Sequence, residues 1–145
     1  MQDLPHHYFV AAEGTAAGDV LVDAPRVPVL RSASPAEFGG PGDRWSPETL
    51  LVAAAVDCLI LTFRAIARAS KLPWLSLDCD AEGVLDRVEG VTRFTEIRFN
   101  ARLVLPAGGD AERARRLLEK AEKTCLITCS LKAEPKLTAD VAIAG

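Results

Sequence analysis

At 145 residues, 49% hydrophobic and 26% charged, the chain has a globular balance and enough length for one domain, residues 1–145, with a buried core. A formal net charge of -3, with Lys and Arg spread along the chain, argues against a surface that draws nucleic acid. The first residues, MQDLPHHYFV, lack the basic start and apolar stretch of a signal peptide. The longest apolar run, residues 50–63, is broken by Asp57 and is shorter than the roughly 18 residues of a membrane span. A cytoplasmic protein with no membrane partner is expected.

The first 30 residues read as short strands, HYFVAA, DVLVDA and RVPVLR, the first two separated by the turn-like EGTAAG. A Gly-, Pro- and Ser-rich loop, SASPAEFGGPGDRWSPE, follows and carries two aromatic anchors, Phe38 and Trp45. Ser46-Pro47-Glu48 then has the marks of a helix start: an N-cap serine, a proline at the first helical position and an acid in the first turn. This helix is expected to run to about Ser70, before Pro73, and its apolar residues lie almost all round it, which predicts burial on most sides. Two alternating strands come next. In LSLDCDAE, Leu75, Leu77, Cys79 and Ala81 share a face; in TRFTEIRFNARLVL, Ile97, Phe99, Ala101 and Leu103 do the same, with DRVEGVTR as the hairpin link. One packed face and one wet face suit an antiparallel sheet. GDAERARRLLEKAEKT is an amphipathic helix, and PKLTADVAIA closes the chain as a strand. The order predicts an α+β fold, antiparallel sheets wrapped around a long central helix.

Four cysteines, at 58, 79, 125 and 129, are the candidate chemical groups. In a reducing compartment they are buried, catalytic or metal-binding rather than a structural framework. No CxxC occurs, and His6 and His7 stand together far from the cysteines, so no metal site is expected. Cys79 lies on the apolar face of its strand and reads as a packed core thiol. Cys58 is either a core thiol or a nucleophile held away from water. Peroxide chemistry would suit the second choice: a thiolate attacks an O–O bond, and a second cysteine condenses with the sulfenic acid. That needs a lowered thiol pKa, yet Cys58 is too far along its helix for the dipole to help much, and Asp57 beside it works the other way. Cys125 and Cys129, four residues apart, share a face if their stretch is helical, and each can be structural or reactive.

SPETLLVAAAVDC resembles the Asn-Pro-Glu, apolar run, Cys signature of the OsmC/Ohr family of thiol peroxidases, with the cysteine ten residues after the glutamate. LEKAEKTCLITCSLKAE is similar to that family's second motif, a helix leading to a cysteine, a turn and a final strand. The resemblance covers essentially the whole chain. It implies an intertwined homodimer that reduces organic hydroperoxides, with Cys58 as the peroxidatic nucleophile, Cys125 as the resolving thiol and Glu48 as the carboxylate that holds an arginine near the sulfur. It also implies re-reduction by a dithiol such as dihydrolipoamide, and no metal or organic cofactor. Ten helical residues span about 15 Å, so a glutamate acting on Cys58 is expected from a second copy whose central helix packs antiparallel. Alternatively, Glu48 only favours the helix start. Phe38, Trp45 and Phe63, with the apolar helix, suggest a substrate with a greasy tail.

Three positions depart from the family pattern. Glu37, before Phe38, stands where the arginine would be, leaving Arg31 and Arg44 as candidates for its role. Leu126 replaces the usual proline, and Cys129 adds a thiol. The alternative to a peroxidase is an OsmC-like protein that binds a small apolar ligand or senses thiol oxidation.

Overall fold

The computed structural model describes residues 1–145, which form two compact units, Met1–Leu50 and Leu51–Gly145. In the first unit β1 (Ala11–Glu13), β2 (Val20–Asp23) and β3 (Leu30–Ser32) pair antiparallel in chain order. These strands are shorter than the apolar runs suggested, and HYFV remains outside them. The loop after β3 makes one 3-10 turn, Ala36–Phe38, and returns so that the Ala33 N–H donates to the Trp45 carbonyl at 2.9 Å.

Helix α1 (Pro47–Ala69) starts where the serine-proline pair predicts. The Thr49 N–H donates to Ser46 Oγ at 3.1 Å and the Ser46 N–H to Thr49 Oγ1 at 3.0 Å, a reciprocal cap that leaves Ser46 buried. Its continuation carries Ala55, Leu59, Phe63 and Ala67, every fourth residue, into the core of the second unit. Burial on most sides is not what the single chain achieves: one stripe is covered, and Leu61 is 48% exposed. At 23 residues α1 is also long and apolar enough by composition to cross a membrane, more than the unbroken run implied.

In the second unit β4 (Ser76–Val88) and β5 (Val91–Leu105) form a long antiparallel hairpin. Most of DRVEGVTR is paired strand. The link itself is Glu89-Gly90, both at positive φ (51° and 80°), the two-residue turn whose twist matches that of the strands. The register shifts between Val84 and Leu85, so Thr95 opposes no residue and its hydroxyl donates to the Val84 carbonyl. Opposite this bulge the sheet needs Gly83: a Cβ there would lie 2.5 Å from Val52 Cγ2 of α1 and 2.8 Å from Phe94 Cε1. Ile97, Phe99, Ala101, Leu103 and Leu105 of β5 are buried as alternation requires.

Helix α2 (Ala111–Thr124) is capped by Asp110, which accepts from the Arg113 N–H, and buries Ala114, Leu118 and Ala121. It carries the chain back along the sheet, so β6 (Glu134–Ile143) pairs with β5 in parallel. The expectation of wholly antiparallel sheets is corrected here. A strand reached through a crossover helix re-enters from the same end as the strand before it, whatever its own side-chain alternation.

Candidate functional site

Cys58 sits three turns into α1, half-buried, and its thiol lies 3.7 Å from Thr62 Oγ1, one turn on. Facing it is the turn that ends α2. Cys125 is the C-cap residue, at φ −58° and ψ 114°, and is 1% exposed. The turn is tied by the Cys129 N–H donating to the Cys125 carbonyl at 2.9 Å and by Thr128 Oγ1 donating to the same oxygen at 3.2 Å. The fold therefore brings Cys58 and Cys125, 67 residues apart, within hydrogen-bond reach of each other.

The two thiols are pushed in opposite directions. Burial pushes Cys58 up, but hydrogen bonds from the Cys125 thiol, the Ile127 N–H, the Thr62 hydroxyl and the Leu126 N–H outweigh it and hold Cys58 below the ordinary thiol value. Burial pushes Cys125 up, and its donation to Cys58 pushes the same way, against the N–H and hydroxyl of Thr128 and the N–H of Ile127. The two shifts are opposite in sign, so of the pair Cys58 is the thiol that ionises more readily. No side-chain cation is among the groups that lower Cys58, and exposed Asp57 is not among those that raise it. Arg31 and Arg44 are both held in the first unit by Asp19, at 3.6 and 3.1 Å.

The backbone donors give position 126 a chemical meaning. Leu126 is 68% exposed, so its side chain contributes little packing, and the extended ψ of Cys125 is the conformation a following proline favours. Leu126→Pro should thus delete one N–H donor while leaving the turn intact. Alkylation of Cys58 by iodoacetamide at pH 7 is expected to slow about 3- to 10-fold, as loss of one hydrogen bond to an anion implies. Leu126→Ala, which keeps the N–H, should react at the wild-type rate; equal rates in both variants would remove the amide from the account.

Cys79 packs against the core opposite Ala101, and burial, then the Asp80 charge, push its thiol to about 11. It is inert packing, as its strand position predicts. Phe63 is 0% exposed and stands edge-on to Trp74 at 5.5 Å, so the expectation that it borders a substrate is corrected: it is core. Glu48 belongs to the first unit. It lines an apolar cleft of about 490 Å³ together with Val20, Val22, Pro35, Phe38 and Leu50. Its Oε2 is buried there without a hydrogen-bond partner.

A model of the OsmC-like protein family matches residues 40–140, which span both cysteines of the pair and Glu48. The chain belongs to the OsmC-like family. Its sequence is 28% identical over 146 residues to the uncharacterized protein YmaD of Bacillus subtilis, covering 97% of each chain. An OsmC-like protein of unknown function from Vibrio cholerae has the same fold (TM-score 0.86, 16% identity, 94% of this chain and 100% of that one). So does an organic hydroperoxide resistance protein from Elizabethkingia anophelis (TM-score 0.78, 19% identity, 99% and 100%). In this OsmC-like chain, sequence reasoning found both facing cysteines. It missed Thr62, legible only as the i+4 neighbour of Cys58, and the amides of Leu126 and Ile127, whose aim depends on the fold.

Proposed function

We propose that this OsmC-like protein is a cysteine-based reductase of organic hydroperoxides. The observation that carries the reading is the Cys58–Cys125 pair, one thiol lowered and the other raised, under the amides of residues 126 and 127. The Cys58 thiolate attacks the terminal peroxide oxygen, the O–O bond breaks, the alkoxide leaves and takes a proton from water to become the alcohol, and Cys58 is left as a sulfenic acid. Cys125 attacks that sulfur; an S–S bond forms, and the sulfenic oxygen leaves with the Cys125 proton as water. A dithiol such as dihydrolipoamide restores both thiols. The loss of the anion at Cys58 on oxidation removes the interaction that kept Cys125 protonated, which favours the second step.

The active form in this reading is a homodimer in the cytoplasm. An apolar α1 with one covered stripe supports a second copy on its open face. The ten-residue helical separation of Glu48 from Cys58, about 15 Å, supports a glutamate acting across that dimer. The orphaned Glu48 Oε2 has the capacity to hold a donor there.

The test is a disulfide map. Reduced protein given one equivalent of cumene hydroperoxide is expected to form a Cys58–Cys125 bond within the mixing time, absent in Cys58→Ser and Cys125→Ser. Unreacted thiols with a Cys58 pKa above about 8 would favour the alternative of an OsmC-like ligand-binding or thiol-sensing protein, which Glu37 in the place of an arginine motivates.

A further inference from the structure

The turn that aims amides at Cys58 holds a third thiol. Cys129 is exposed, whereas Cys125 is 1% exposed, and the two are joined by a main-chain hydrogen bond of 2.9 Å from the Cys129 N–H to the Cys125 carbonyl. Residues closed by such a five-residue turn have Cα atoms about 6 Å apart, inside the ~4.4–6.8 Å that disulfides span. The Cys129 thiol folds back over the turn, donating to the Lys123 carbonyl at the end of α2 at 3.4 Å. Cys58, Cys125 and Cys129 therefore form a series running from α1 to the surface, with Cys125 in the middle.

We propose that Cys129 is a relay thiol, which draws the disulfide from the Cys58–Cys125 pair out to a surface Cys125–Cys129 pair where an external dithiol reaches it. The inference rests on the peroxidase reading and adds a step to it. Cys129, as thiolate after giving its proton to solvent, attacks Cys125 Sγ. The Cys125–Cys129 bond forms, the Cys58–Cys125 bond breaks, and Cys58 leaves with the electron pair as a thiolate. One disulfide is exchanged for another, so no oxidant or reductant is consumed until the dithiol reduces the surface bond and is itself oxidised to a disulfide. The direction of attack follows from the surroundings. The better leaving sulfur is the one whose anion the surroundings favour; donors reach both sulfurs, and the balance lies with Cys58, beside Thr62 Oγ1 at 3.7 Å. The middle sulfur is also the one adjacent to Cys129 in the turn. Cys58 is thus freed with its donors still in place, while the oxidising equivalent waits at the surface.

The experiment compares the full-length wild type with Cys129→Ser. Each reduced protein receives one equivalent of cumene hydroperoxide, samples are acid-quenched over time, and disulfides are mapped by mass before and after addition of dihydrolipoamide. Wild type is expected to show Cys58–Cys125 first, then Cys125–Cys129 with Cys58 again open to alkylation. Cys129→Ser should stop at Cys58–Cys125 and be reduced by dihydrolipoamide about tenfold more slowly. If wild type also stops at Cys58–Cys125 and both proteins are reduced at one rate, the relay is wrong and the peroxidase reading stands. If neither protein forms a Cys58–Cys125 bond, the peroxidase reading falls and takes the relay with it.

Discussion

Cys58→Ser is expected to lower hydroperoxide consumption at least about a thousandfold, to the rate seen without protein. The substitution is close to isosteric, so the helix and its stripe of Ala55, Leu59, Phe63 and Ala67 should be unaffected and far-UV circular dichroism unchanged. What is lost is chemical. A serine hydroxyl is not ionised near neutral pH and forms no counterpart of a sulfenic acid, so neither the attack nor the condensation with Cys125 has a route. The wild-type pH profile makes the same point from the other side. Because the fold holds Cys58 below the ordinary thiol value, the rate with limiting hydroperoxide should rise as Cys58 deprotonates and reach its plateau below the pH at which a free thiol would. Cys125, held above the ordinary value, adds no nucleophile in that range. Residual turnover in Cys58→Ser that vanished in Cys125→Ser would reassign the attacking thiol.

The parts of this site that could be read from the sequence are those where residue type alone restricts geometry. Ser46-Pro47 admits few structures other than a helix start, and period-two alternation from Ile97 to Leu103 admits only one inward face. Cys58 and Cys125 were legible by their spacing within two motifs. The direction of β6 was not, because alternation is the same for either strand polarity and the crossover through α2 decides it. The donors on Cys58 were illegible for a related reason. Every residue except proline carries an N–H, so Leu126 and Ile127 become significant only when the turn after α2 aims them at a sulfur 68 and 69 residues away. The cation expected near the thiol was a demand of chemistry rather than a feature of the chain. In the structure the groups that lower the Cys58 thiol are hydrogen-bond donors, two of them main-chain amides.

The second large effect concerns Phe63, where packing and chemistry make opposite predictions. As a wall of the substrate site, Phe63 would affect the KM for long-tailed hydroperoxides and leave stability nearly unchanged. As found, it is the largest fully buried side chain, one turn beyond Leu59 on the α1 stripe and edge-on to Trp74. Phe63→Ala should therefore cost about 3–5 kcal/mol through lost transfer energy and an incompletely collapsed cavity, a large share of the 5–15 kcal/mol typical of a domain. The check is urea unfolding followed by tryptophan fluorescence, since Trp74 reports on the same contact. The midpoint should fall by about 1–5 M for a slope of about 1–3 kcal/mol/M. Cys58 and Thr62 face the turn after α2 rather than the sheet, so alkylation of Cys58 in the folded variant should match wild type. A midpoint unchanged, with KM rising for long-tailed substrates alone, would return Phe63 to the substrate site and show that the α1 stripe opens in solution.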